Sequence, residues 1–121
     1  MLISLTLPRI NQHMTVALVR RIYAAEGDFV TLGSKLMDLS IDLSAVAPHD
    51  CPPISLYRIV LRDRVWVRRL AVSAGDDVAA GADLATFSTE ADEPITGSPG
   101  RAARVTVAGI LDLESWEGAR S

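Results

Sequence analysis

The chain carries one cysteine, one lysine and two histidines in 121 residues, and each scarcity removes a class of protein. A lone cysteine, Cys51, excludes an internal disulfide, and with it the cross-braced scaffold of many small secreted domains. His13 and His49 cannot assemble a four-ligand zinc site at recognisable spacing, so no metal is expected. No apolar run approaches the roughly 18 residues that a bilayer span requires, so no membrane association is expected. The opening MLISLTLPRI is apolar but short, without the basic region and cleavage site of a signal peptide. It reads as a strand, and the cytoplasm is the default location. Positive charge is also in deficit, with 12 Lys and Arg against 15 Asp and Glu, net -3. That balance argues against nonspecific nucleic-acid binding, which needs a concentrated positive surface.

What is present is apolar material: 49% of the residues are hydrophobic, enough at this length for one core without a staple. The expectation is a single domain over residues 1–121. An internal repeat organises it. Residues 20–42, RRIYAAEGDFVTLGSKLMDLSID, lie over residues 68–90, RRLAVSAGDDVAAGADLATFSTE, at an offset of 48 with no gap. Identities fall on the Arg pair and on Gly27/Gly75, Asp28/Asp76, Val30/Val78, Gly33/Gly81, Leu36/Leu84 and Ser40/Ser88.

Each unit begins with a β-prone run. A Gly-Asp turn follows, where glycine permits positive φ and aspartate bonds its own backbone. Val30 or Val78 then points inward, Gly33 or Gly81 bends the chain again, and a strand follows with alternate apolar residues. Around the units, Leu2–Leu7, Ile54–Leu61, Arg64–Val72 and Arg104–Leu111 read as strands. Asn11–Met14 reads as a turn, Pro48–Pro53 as a proline-stiffened loop, and 112–121 as a loose tail. Asp63 turns the chain between two strands. The fold class expected is all-β.

The string LPRINQHMTVALVRRIYAAEGDFVTLGSKLMDLSIDLS, with Leu7-Pro8, Met14-Thr15, Glu26-Gly27-Asp28, Val30, Gly33 and Leu36, resembles a lipoyl or biotinyl carrier domain. Gly75-Asp76, Val78, Gly81 and Leu84 match the equivalent turn of that family's second half. The resemblance covers residues 5–90. It implies a flattened β-barrel or sandwich of two four-stranded sheets related by a quasi-twofold axis, which is what an internal repeat would leave in a sequence. The two glycine turns stand further apart here than in the family, which implies an inserted segment within 45–64.

Such domains carry their cofactor as an amide on one lysine at the tip of a hairpin, after an aspartate. Here those positions are Asp42 and Leu43. Leucine offers no amine, so the resemblance implies a domain without its prosthetic group. The second repeat fares no better, with Glu90 and Ala91 in the matching places. Lys35, the sole lysine, sits just after Gly33 at the entry to a strand and is not expected to be modified. No cofactor is expected.

Other residue groups are less eloquent. His49, Asp50 and Cys51 sit together, but adjacent residues seldom converge on one centre, and an ordinary loop is the expectation. Arg62, Arg64, Trp66 and Arg68 would share one face if a strand ran through them unbroken, a candidate surface for an acidic partner. The glycine turns are not nucleotide loops, since no helix or GK[ST] follows them. Asp83, Glu90, Asp92 and Glu93 are spaced like solvated charges, and no acid–base pair stands out. The function expected is therefore non-enzymatic: docking or assembly through an unknown protein partner or a second copy. Two alternatives are a small-molecule-binding or adaptor barrel, and an enzyme using Cys51 as a thiol nucleophile.

Overall fold

The computed structural model describes residues 1–10, 16–42 and 54–110. The expectations for Asn11–Met14, Leu43, the segment with His49, Asp50 and Cys51, and the tail 112–121 lie outside the described residues. The described chain is all-β, with ten strands: β1 (Leu2–Thr6), β2 (Val16–Ile22), β3 (Phe29–Val30), β4 (Ser34–Asp42), β5 (Ile54–Leu61), β6 (Val65–Leu70), β7 (Asp77–Ala79), β8 (Asp83–Ser88), β9 (Arg101–Ala102) and β10 (Val105–Ile110). They form two five-stranded sheets, ordered β3-β6-β8-β1-β9 and β10-β5-β4-β2-β7. The sheets do not close into a barrel: their end strands β3, β9, β10 and β7 do not bond to one another. Of the two forms expected, the open two-sheet form is the one observed.

The repeat is written into the backbone hydrogen bonding. Each unit lends its short strand to the other's sheet: β3 of the first pairs with β6 of the second, and β7 of the second pairs with β2 of the first. The Gly27 N–H donates to the Val67 carbonyl at 2.7 Å, and the Gly75 N–H donates to the Val19 carbonyl at 2.7 Å. Both glycines sit at positive φ, 95° and 97°, where any Cβ strains the backbone. The following aspartates close matching turns: Asp28 Oδ2 accepts the Ala25 N–H at 2.9 Å, and Asp76 Oδ2 accepts the Ser73 N–H at 2.8 Å.

The core lies between the sheets. Val19, Leu39, Ile41, Ile59 and Leu61 of one sheet meet Ile3, Leu5, Val65, Val67 and Phe87 of the other in one buried cluster. Burying each of the larger side chains contributes about 1.5–3 kcal/mol. Strict alternation would send either Leu36 or Met37 to solvent, yet both are fully buried. The β4–β5 register shifts between Lys35 and Met37, and this bulge lets two successive residues face inward. The same device recurs where β1 meets β8, opposite Leu84 and Ala85, both buried.

Candidate functional site

β4 and β5 form an antiparallel hairpin whose last described pair is Asp42 with Ile54. Asp42 is therefore at the end of this hairpin, with Leu43 continuing beyond it in the sequence. Lys35 is exposed at the opposite end of β4, about 23 Å along the strand at the usual rise per residue. Its ammonium lies 5.6 Å from the centre of the Tyr23 ring.

Tyr23 belongs to a polar cluster with Asp38 and Arg58. The register of β2, β4 and β5 sets Asp38 between Arg21 on one side and Arg58 on the other. Arg58 Nε donates to Asp38 Oδ1 at 2.8 Å, and the Tyr23 hydroxyl donates to Asp38 Oδ2 at 2.5 Å. Arg58 also reaches the Tyr23 oxygen at 3.1 Å. Arg21, Lys35 and Arg58 all stand within 6 Å of the Tyr23 ring centre, a cation–π arrangement. Burial alone would raise the Asp38 pKa. The Arg58 and Tyr23 hydrogen bonds and the charges of Arg58 and Arg21 outweigh it and hold the carboxyl below its ordinary value. Both carboxylate oxygens are engaged, so Asp38 acts here as an anchor for cations and not as an available base. The cluster leaves a positively charged outer surface with a hydroxyl at its centre.

A groove of about 410 Å³ opens where the two repeats meet. Ile22, Ala24, Ala25 and Glu26 line it together with their repeat counterparts Leu70, Val72, Ser73 and Ala74. The groove is shallow, its walls mix polar and apolar surface in nearly equal parts, and the symmetry is broken by Glu26 standing opposite Ala74.

The surface expected from Arg62, Arg64, Trp66 and Arg68 is not one strand face. The strand breaks at 62–64, because Asp63 is buried and takes two hydrogen bonds from Arg101, at 2.9 and 3.0 Å, and one from the Arg104 N–H at 2.8 Å. Arg62 and Arg64 are exposed in this break. Trp66 packs on Phe29 with ring centres 4.9 Å apart. Arg68 turns onto the following loop, donating to the Glu93 carbonyl at 2.5 Å. Nor is Glu93 a solvated charge: its carboxylate accepts from the Met1 ammonium at 2.8 Å and from the Ser88 hydroxyl. That ammonium hydrogen bond, then the one from Ser88, holds the Glu93 carboxyl below its ordinary value.

The sequence reading did not single out Tyr23 or Asp38, and it placed Asp63 and Glu26 at turns without their partners. Their partners are 15 to 44 positions away, so no local pattern marks them. Among the described residues no three or more His, Cys, Asp or Glu side chains converge as a metal site. No helix there is long and apolar enough to cross a membrane. No family model, curated protein or solved structure matches the chain.

Proposed function

We propose that this chain is a lipoyl/biotinyl-type β domain without the carrier lysine, acting by protein contact and not by catalysis. The observation that carries this reading is the β4–β5 hairpin. It leaves β4 at Asp42 and passes to Leu43, while the chain's one lysine stands at the far end of the same strand. Further support comes from the topology. With β9 and β10 set aside, each sheet has four strands, and the repeats exchange short strands reciprocally, in line with the resemblance. Fold likeness alone would not assign a role; the absence of an amine at the hairpin is what directs the reading away from carriage.

The deciding experiment is the intact mass of the chain purified from its native host, with co-purifying proteins identified by peptide mass. An unmodified chain with a stoichiometric partner supports a docking module. A lipoyl or biotinyl mass increment on Lys35 overturns it.

A second reading, a small-molecule-binding or adaptor domain, draws on the shallow groove between the repeats. A ligand screen by thermal shift, repeated on Leu70→Arg to fill the groove, separates the two readings.

A further inference from the structure

The Tyr23 cluster is built in one repeat only, and the other repeat shows that the fold does not need it. At the offset of 48, Arg21, Tyr23, Lys35 and Asp38 correspond to Arg69, Ala71, Asp83 and Thr86. The backbone is alike in both places. The Tyr23 N–H donates to the Leu36 carbonyl at 2.9 Å, and the Ala71 N–H donates to the Leu84 carbonyl at 2.9 Å. Arg21 stands opposite Asp38 in one sheet, and Arg69 opposite Thr86 in the other. The next strand sets Arg58 beside Asp38, but Ser4 beside Thr86. One backbone arrangement is thus furnished once with a ring, three cations and a carboxylate, and once with a single cation, an acid and small side chains.

Gathering three cations on one face carries Coulomb repulsion, and Asp38 relieves only part of it. Arg58 and Tyr23 already engage both of its oxygens. Arg21 and Lys35 are exposed, and among the described residues neither forms an ion pair with a carboxylate. Each meets the Tyr23 ring instead, at 5.9 and 5.6 Å from its centre. Arg58, at 5.5 Å from the same centre, uses Nε and Nη2 on Asp38 and Tyr23, and its Nη1 makes no hydrogen bond among the described residues. Three cations against one carboxylate leave this face at +2, in a chain of net -3. The Tyr23 hydroxyl donates to Asp38, so the donors left over here are cationic N–H groups.

We propose that this face binds a phosphate monoester, held by Arg21, Lys35 and Arg58 around the Tyr23 ring. The class of ligand follows from charge and donor type. A phosphate monoester carries about -1.5 to -2 near neutral pH and presents acceptor oxygens, which suits a doubly positive face of N–H donors. A single carboxylate would leave half of that charge unmatched. Guanidinium forks fit phosphate oxygens, and the ammonium adds a point charge. The Asp38 hydrogen bonds fix Arg58 before any ligand arrives, which lowers the ordering cost of binding. The inference goes beyond the carrier reading and does not depend on it, since it rests on the outer face of the sheet and not on the hairpin end.

NMR titration of the isotope-labelled full chain near neutral pH tests it. The probes are inorganic phosphate and a short glycine-rich peptide with one phosphoserine, each compared with chloride at matched ionic strength. The expected result is a saturable shift of the Arg21, Tyr23, Lys35 and Arg58 signals, with a Kd of about 1 mM or tighter. Arg21→Gln and Lys35→Gln are each expected to weaken binding about threefold, and together about tenfold, with melting unchanged. Arg69→Gln removes the same charge from the repeat that lacks the cluster, and is expected to leave binding unchanged. Equal affinity for the two probes assigns the site to a free phosphate ester, and a peptide bound about tenfold more tightly assigns it to a phosphorylated protein segment. Three results overturn the proposal: no saturable shift up to about 20 mM of either probe, an equal loss of binding in Arg69→Gln, or the same shifts with chloride.

Discussion

The Glu26 carboxylate accepts a hydrogen bond from the Leu70 backbone N–H at 2.9 Å, tying the turn of the first repeat to a strand of the second. Ala74 occupies the matching place in the other repeat, so this tie is made once and not twice. Glu26→Ala is expected to destabilise the chain by about 1 kcal/mol in urea unfolding, and Glu26→Gln by less, because its amide oxygen still accepts. Equal stability in all three proteins would show that the bond contributes nothing.

The four glycines at positive φ make a sharper test. An added Cβ at Gly27 or Gly75 meets no atom within 4 Å, so any cost of alanine there is backbone strain alone. Gly27→Ala and Gly75→Ala are each expected to cost about 1–2 kcal/mol, and the asparagine variants less. Gly109, in β10 and not at positive φ, is the control: alanine there meets only Tyr57, at 4.0 Å, and is expected to be neutral within about 0.5 kcal/mol.

Removing Arg101 leaves the buried Asp63 carboxylate with the Arg104 N–H as its remaining donor among the bonds described. Arg101→Ala is expected to cost about 2 kcal/mol in thermal or urea melts. Arg101→Lys should recover little, because an ammonium cannot reproduce the paired donation of a guanidinium to both oxygens. Full recovery by lysine would reduce the contact to simple charge.

Acid should unfold the chain through its two anchored aspartates. Asp63 is lowered first by its Arg101 hydrogen bonds, against burial, and Asp38 by Arg58 and Tyr23 together overcoming burial. Both folded-state values lie below the unfolded one, so their contribution is complete above about pH 4 and is lost as pH falls through the folded values. Urea midpoints measured from neutral pH downward should hold steady and then drop below about pH 4. Asp63→Asn should begin lower and drop less steeply; an unchanged slope would remove Asp63 from the account.

The repeat and the inward residues were legible because residue type encodes them directly. Gly27 and Gly75 mark positive φ, Asp28 and Asp76 mark their turns, and alternating apolar positions mark the core. Even so, alternation alone misses the paired burial of Leu36 with Met37, which needs a bulge set by the neighbouring strand. The turn at Asp63 was legible and the Arg62–Arg68 face is interrupted there, but the Arg101 that fixes the turn lies 38 residues away, and no window along the sequence contains both. The Tyr23, Asp38 and Arg58 cluster was equally hidden, because each residue alone looks like an ordinary exposed position. Only the register of three strands brings them together.

The exchanged short strands and the placement of β1 bear on the order in which the chain can fold. Among the described residues β1 finds its strand partners only in β8 and β9, and β3 only in β6. Among the described strands, a nascent first half can form the β2–β4 pairing but holds no partner for β1. Such non-local pairings carry loop-closure cost before they stabilise anything, and slow the search. A strand made before most of the others described is thus among the last to be secured, and until β8 and β9 are made it is an apolar strand in search of an edge.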